Sequence, residues 1–164
     1  MTTRIVFGTD GWRGSVAEDY TFESVRYCAQ GTADYLIAEG LADRGMIIGY
    51  DMRFRSEDFA QAVAEVLAGN GIKAYLADHP APTPVLSASI IPHQAAGGIW
   101  ITASQNPPTD NGFKLRSSYG GAAAPETLRL VEDRIVAAQE GDGVKTLGFD
   151  RAQNEGLIEL FDPD

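Results

Sequence analysis

Ser104 is the residue of this sequence best suited to covalent chemistry. It lies in the segment Thr102–Pro107, directly after an apolar run that predicts a buried strand. A serine hydroxyl exposed in a tight loop can act as a nucleophile or accept a phosphoryl group, provided that neighbouring groups stabilise the charge that develops on it. The chemistry therefore depends on the cations that the fold brings to this loop.

Two basic residues are candidates for that role. Lys114 follows Ser104 by ten residues, so a returning strand could bring its ammonium group back to the loop, where it would act as a point charge on a phosphate. Arg13 stands among three glycines in residues 7–14 (FGTDGWRG). Glycines let the backbone approach a ligand closely, and a guanidinium presents a planar fork to phosphate oxygens.

Each of these residues also has a purely structural interpretation. A serine after a strand often forms a turn or caps a helix, a lysine at a strand end is often solvated, and Arg13 could simply pair with a carboxylate. His79 and His93 flank a proline-rich loop, so a hydrolytic triad with Ser104 is a further alternative. The sequence has no Gly-x-Ser-x-Gly elbow, however, and no glycine-rich nucleotide motif.

The scaffold around these residues is predicted from apolar periodicity and capping signals. Thr21 and Ser56 are the expected N-caps of the first two helices, and Gly40 is the expected stop of the first. Helices are predicted over residues 22–39, 56–69, 85–91 and 125–139. Strands are predicted over residues 46–50, 72–76, 98–102, 112–116 and 156–161. This alternation predicts a layered α/β domain, and open α/β sheets bind ligands at strand ends such as the one that carries Ser104.

Composition narrows the class of protein. The 164 residues carry a formal net charge of −10, which argues against nucleic acid or a membrane surface as a partner because both are anionic. The lone cysteine, Cys28, fits a reducing compartment. The sequence has neither a transmembrane-length apolar stretch nor an N-terminal signal segment. We therefore expect a soluble cytoplasmic protein.

Two longer segments carry a resemblance to a known family. Residues 7–14 and 102–115 (TASQNPPTDNGFKL) are similar to the two signature segments of the α-D-phosphohexomutases, which include phosphoglucomutases, phosphomannomutases and phosphoglucosamine mutases. The run Gly49–Arg53 and the nearby Pro82 and Pro84 resemble further family features in the same order. The resemblance covers essentially the whole chain and implies domain I of the family, a three-layer α/β/α fold with a mixed β-sheet.

The resemblance implies interconversion of hexose 1-phosphate and hexose 6-phosphate through a bisphosphate. In the family the loop serine gives a phosphoryl group to one sugar hydroxyl and recovers one from the other position. Carried over, Ser104 is the phosphoserine, and Lys114 and Arg13 steady its phosphoryl group. The residues expected to position phosphate and substrate are Thr9, Gln105, Asn106 and Gly112. One Mg²⁺ is implied, bound through the phosphate on Ser104, because in-line phosphoryl transfer needs neutralised oxygens.

Members of this family have four domains, so the resemblance implies that residues 1–140 are domain I and residues 141–164 a strand and linker toward a second domain. The family's metal-binding loop belongs to that second domain, and Glu140–Gly143 has too few carboxylates to replace it. We therefore expect that Asp164 is a truncation point and that the remaining domains supply the other Mg²⁺ ligands and the choice of hexose. We also expect the isolated chain to be inactive.

One residue departs from the family pattern. Gln105 stands where the family commonly has histidine, and an amide cannot exchange a proton near neutral pH, so a positioning role is expected for it. A non-catalytic sugar-phosphate-binding module that uses the same loop is the alternative function.

Overall fold

The computed structural model describes residues 2–164. Its strands are β1 (Trp12–Ser15), β2 (Met46–Tyr50), β3 (Ala74–Ala77), β4 (Gly98–Ile101), β5 (Asp110–Arg116) and β6 (Ile158–Phe161). Its helices are α1 (Phe22–Ala38), α2 (Ser56–Gly69), α3 (Thr83–Ser89), α4 (Pro125–Ala137) and α5 (Phe149–Asn154). A 3₁₀ turn at Ala42–Arg44 precedes β2, and a π-helical turn at Ala138–Asp142 continues α4.

The six strands form one mixed sheet in the order β1-β5-β4-β2-β3-β6. Strands β4, β2, β3 and β6 are parallel, whereas β5 is antiparallel to both β4 and β1. From β2 the chain crosses to β3 in one direction and from β3 to β4 in the other, so right-handed crossovers place α2 and α3 on opposite faces. The result is the predicted three-layer α/β/α fold with a mixed sheet.

Helices pack closely on both faces of the sheet. On one face α1 packs against both α2 and α4. On the other, a Cβ at Gly49 would overlap the Leu86 side chain, so glycine allows α3 to lie directly on β2. Trp100 is fully buried in β4, as its alternation with isoleucines predicts.

The first two helices begin in different ways. Thr21 caps α1 as predicted, through a reciprocal pair of hydrogen bonds with Ser24. The predicted N-cap of α2, Ser56, is wrong by one residue: Arg55 occupies that position with φ +63° and no side-chain cap. Ser56 is the first helical residue. Its hydroxyl donates to Asp51 Oδ1 at 2.8 Å and accepts from Asn111 Nδ2 at 2.9 Å, so its oxygen binds Asn111 and not a helix N–H.

Several predicted bounds also shift. The strand expected over 72–76 is β3, which begins two residues later because Gly71, with φ +73°, and Ile72 still close the preceding helix. The helix expected over 85–91 begins two residues earlier, since Pro84 fits its first turn. Strand β1 and helix α5 were not predicted. Neither shows a clear apolar period.

The segment 141–164 folds onto the same sheet. Helix α5 contacts α2, and β6 pairs in parallel with β3 along the sheet edge, so the strand expected over 156–161 has a partner. None of the helices in residues 2–164 is long and apolar enough to cross a membrane.

Candidate active site

The loop between β4 and β5 carries Ser104 at the edge where the parallel strands end. Ser104 is exposed and has φ +53°, a left-handed conformation that costs a non-glycine residue about 1 to 3 kcal/mol. Its N–H donates to Thr102 Oγ1 at 3.0 Å, and the N–H of Asn106 donates to the Ala103 carbonyl at 3.0 Å. These bonds hold the strained residue in a tight turn that presents its hydroxyl to solvent.

Lys114 reaches this hydroxyl from the neighbouring strand. Its Nζ donates to Ser104 Oγ at 2.6 Å and to Asp10 Oδ2 at 2.7 Å. The antiparallel register that sets Lys114 opposite Trp100 carries the side chain back along the sheet to the loop. The side chain is only 4% exposed, so its charge acts on Ser104 with little screening by water.

Lys114 is one member of a basic row on a single face of the sheet. Alternate residues of β5 share a face, which groups Lys114 with Gly112 and Arg116, and Arg13 on β1 lies directly opposite Gly112. Arg116 Nη2 approaches Asp10 Oδ1 at 3.5 Å. Two cations of this row thus contact one carboxylate, and Arg13 lies on the same face, on a chain whose net charge is −10. The buried Nε atoms of both arginines have no hydrogen-bond partner within residues 2–164.

Gly112 keeps this row compact. A Cβ there would lie 2.5 Å from the Thr102 carbonyl oxygen and 3.1 Å from the Arg13 side chain. Tyr20 also donates its hydroxyl to the Gly112 carbonyl at 2.8 Å. The glycine therefore lets β1, β5 and the foot of the serine loop approach one another.

A fourth cation, Arg53, binds the backbone of the serine loop. Its two terminal nitrogens donate to four carbonyls of one loop, those of Pro107 (2.7 Å), Asp110 (3.0 Å), Ser104 (2.7 Å) and Asn106 (2.8 Å). Arg53 follows β2, which ends beside β4 at the same edge of the sheet. The Arg53 side chain as a whole is 15% exposed.

A chain of polar contacts supports Arg53. Asp51 Oδ2 lies 3.3 Å from Arg53 Nε, while Asp51 Oδ1 accepts from the Arg53 N–H at 2.9 Å. Ser56, which donates to Asp51, in turn accepts a hydrogen bond from the fully buried Asn111 at 2.9 Å. Asn111 Oδ1 accepts from the N–H of Gly112 at 2.8 Å. A continuous series of hydrogen bonds therefore links Arg53, which follows β2, to β5.

Other residues expected in the site lie at its margin. Thr9 is exposed in the turn between Gly8 and Gly11, and its neighbour Asp10 makes the contact with Lys114. Gln105 is exposed beside Ser104, and Asn106 Nδ2 donates to Asp110 Oδ2 at 3.0 Å. The roles expected for these residues stay predictions.

Three residues of the site were not singled out from sequence: Asp10, Arg53 and Arg116. Asp10 and Arg53 lie within segments that carried the family resemblance, which is the signal that could have drawn attention to them. Arg116 shares the two-residue period of Gly112 and Lys114 on β5, so a face assignment for that strand would have included it.

The donor set limits how this chain could hold a metal ion. Asp10 is held by two cations, Asp51 by Arg53 and Ser56, and Asp110 by an amide. Within residues 2–164, the one group of three histidine or acidic side chains with converging ligand atoms is Asp78, His79 and Asp162, which does not include Ser104. The carboxylates that contact the side chains of this site are thus already paired with cations or hydrogen-bond donors.

Comparison with known proteins decides which family uses this arrangement. Residues 4–142 match the family model described as "Phosphoglucomutase/phosphomannomutase, alpha/beta/alpha domain I". The chain belongs to the phosphoglucomutase/phosphomannomutase family. That match spans the basic row, the serine loop and Arg53, so all of the site described above lies within the domain I of this family.

Relatives in the family are similar along most of the chain. The "Probable phosphomannomutase" of Haemophilus influenzae is 37% identical over 124 residues, which are 72% of this chain and 25% of that protein. The "Phosphoglucomutase" of Staphylococcus saprophyticus is 35% identical over 138 residues, 84% of this chain and 25% of that protein. A solved structure from Thermus thermophilus, assigned as a phosphomannomutase, is 34% identical with a TM-score of 0.84 over 99% of this chain and 34% of its own. The chain thus spans about a quarter of the length of these curated relatives.

Proposed function

We propose that this chain is the phosphoserine-bearing domain of a hexose-phosphate mutase, with Ser104 as the residue that carries the phosphoryl group. The observation that carries the proposal is the 2.6 Å hydrogen bond from the buried Lys114 ammonium to the hydroxyl of a strained, exposed serine. Membership of the phosphoglucomutase/phosphomannomutase family supports it.

The proposed reaction moves one phosphoryl group from serine to sugar. A sugar hydroxyl oxygen attacks the phosphorus, the bond between phosphorus and Ser104 Oγ breaks, and the proton lost by the sugar hydroxyl ends on Ser104 Oγ. After the bisphosphate turns over, the same steps run in reverse with the other phosphate. The substrate is thereby converted between hexose 1-phosphate and hexose 6-phosphate, with no net change in the serine.

In this reaction Lys114 stabilises the charge that develops on Ser104 Oγ as the phosphorus leaves. A preorganised donor of this kind is worth about 10²- to 10³-fold in rate when water is excluded from it. Arg13 lies one strand away on the same face, so its guanidinium is proposed to bind phosphoryl oxygens. Asp10 keeps Lys114 directed at the hydroxyl.

One Mg²⁺ is part of the proposal. When bound, it neutralises phosphoryl oxygens during in-line transfer. In this chain the phosphate on Ser104 would be its ligand, and its other ligands are proposed to come from a second domain. The remaining domains are likewise proposed to bind the sugar and its distal phosphate, so the isolated chain should have little or no mutase activity.

The test uses a full-length polypeptide that contains this domain. Phosphopeptide mapping should find phosphate on the peptide with Ser104, and Ser104→Ala should remove both that phosphate and turnover of glucose 1-phosphate. Ser118→Ala, at an exposed serine beyond β5, is the matched control and should change neither. Phosphate found only at another residue would overturn the assignment.

The same variants separate the alternatives. A non-catalytic sugar-phosphate-binding module would bind the ligand without becoming phosphorylated, would tolerate Ser104→Ala and would still require Arg13 and Lys114. A serine hydrolase would be labelled at Ser104 by a fluorophosphonate. Substantial turnover by residues 1–164 alone would contradict the proposed dependence on further domains.

A further inference from the structure

We infer that Arg53 is a positioning residue for phosphoryl transfer at Ser104, an inference that rests on the proposed function. Its guanidinium donates to four backbone carbonyls, and all four belong to the segment from Ser104 to Asp110. A side chain that only stabilised the fold could satisfy its donors on several elements. This one directs its four terminal hydrogen bonds to the loop that carries the serine.

The first effect of these bonds is to set the orientation of the peptide that follows Ser104. The chain contains no cis peptide among the described residues, and a trans peptide directs its C=O and N–H in opposite directions. With the Ser104 carbonyl bound to Arg53, the N–H of Gln105 points away from the guanidinium. That N–H is left available for an oxygen of a group on the serine.

The second effect is electrostatic. Carbonyl oxygens carry partial negative charge, and four of them gathered beside Ser104 would repel a dianionic phosphoryl group. Arg53 neutralises these dipoles and adds a positive charge to the row formed by Arg13, Lys114 and Arg116. Because the Arg53 side chain is 15% exposed, water screens this charge only in part.

Arg53 is itself held in place before any ligand arrives. Asp51 contacts both its Nε and its backbone N–H, Ser56 donates to Asp51, and Asn111 donates to Ser56. The cost of ordering a long side chain is therefore met by folding and is not repeated at each turnover. This preorganisation makes Arg53 a support for the left-handed conformation of Ser104.

The experiment compares Arg53→Lys with Arg44→Lys in the full-length polypeptide. Arg44, which lies just before the start of β2, is a matched control because it also donates to backbone carbonyls. Its two acceptors are the carbonyls of Gln94 (3.0 Å) and Ala95 (3.1 Å). A lysine keeps the charge at either position. It lacks the planar fork with which Arg53 reaches four carbonyls. Three quantities are measured: kcat and KM with glucose 1-phosphate, normalised to phosphorylated Ser104; amide hydrogen exchange of peptide 102–112; and Tm.

We expect Arg53→Lys to lower kcat about 100-fold with a much smaller change in KM, because a small displacement of a reacting group costs about that much. Exchange of peptide 102–112 should accelerate. Arg44→Lys should leave kcat and the exchange of this peptide unchanged, whatever it does to Tm. A fall in Tm for Arg53→Lys with normalised kcat within about twofold of the parent would overturn the inference.

Two further arms keep the outcomes separate. If Arg53→Lys does not fold, Asp51→Asn loosens the same guanidinium while leaving it present, and it should lower kcat about tenfold and accelerate exchange of the loop. No change in either quantity would count against a positioning role. If the parent protein carries no phosphate on Ser104, the proposed function fails, whereas the exchange data still decide whether Arg53 holds the loop.

Discussion

Two loops leave the sheet at the same edge, and they differ in what holds them. The loop after β4 carries Ser104 and rests on Lys114, whose side chain is 4% exposed, and on fully buried Asn111. The loop after β3 carries Asp78 and His79, whose side chains are 44% and 40% exposed. His79 lies 2.6 Å from Asp78 and 3.2 Å from Asp164, so this loop also has close polar contacts.

The two loops therefore differ in the burial of their supporting side chains: buried side chains support the serine loop, whereas exposed charges hold the loop after β3. Exposed ion pairs gain little because water screens them and their side chains must be ordered to meet. Lys114 and Asn111, which support the serine loop, are buried, and in a buried environment a donor acts strongly and an unpaired polar group is costly. Position at the carboxyl edge is common to both loops, so burial of the supporting side chains is what distinguishes the serine loop.

The largest effect should follow from removing the buried ammonium. Lys114→Met keeps the length of the side chain and should lower turnover by about 10³-fold, because the charge that develops on Ser104 then has no donor. Steady-state kinetics of the full-length polypeptide with glucose 1-phosphate measures it. Lys73→Met removes a lysine that pairs with Glu159 at 2.5 Å but is 36% exposed, and it should leave turnover unchanged. Equal losses of turnover in Lys114→Met and Lys73→Met would contradict the proposed role of burial.

Removing the buried amide should cost stability. Asn111→Ala removes the donor to Ser56 and the acceptor of the Gly112 N–H and opens a small cavity, so the free energy of unfolding should fall by about 2 to 3 kcal/mol. Asp78→Ala removes a polar side chain from the other loop and should not change it measurably. Denaturant unfolding of both variants compares the loops, and a similar loss for Asp78→Ala would contradict the comparison.

The smallest effect concerns pH. The hydrogen bond to Asp78, followed by that to Asp164, raises the pKa of His79 above its ordinary value of 6.5. A raised folded-state pKa stabilises the fold fully below about pH 6.5 and loses that contribution as pH rises through the folded value. The parent should therefore have a slightly higher Tm than His79→Gln at about pH 5.5 and the same Tm at about pH 9. A difference that grows toward high pH would have the wrong sign.

Much of the fold could be predicted because its signals are local. Thr21 and Gly40 bound α1 to within a residue, and the apolar run Met46–Tyr50 is β2. Strand β1 and helix α5 could not be predicted in this way because neither shows a clear apolar period. Pairing with β5 orders β1, and packing on α2 orders α5. The predicted N-cap of α2 is wrong because the Ser56 hydroxyl donates to Asp51 and accepts from Asn111, a residue 55 positions away in sequence.

The sequence by itself determined the α/β class and the family resemblance, and it predicted Ser104, Lys114 and Arg13 as site residues, because each of these rests on residue type and short spacing. Only the tertiary structure decided that Asp10 accepts a hydrogen bond from Lys114 across 104 residues and that Arg53 binds the serine loop across more than 50. Such contacts depend on strand order and register, which bring distant segments to one edge of the sheet. Burial then gives them a strength that the same residue types lack in water.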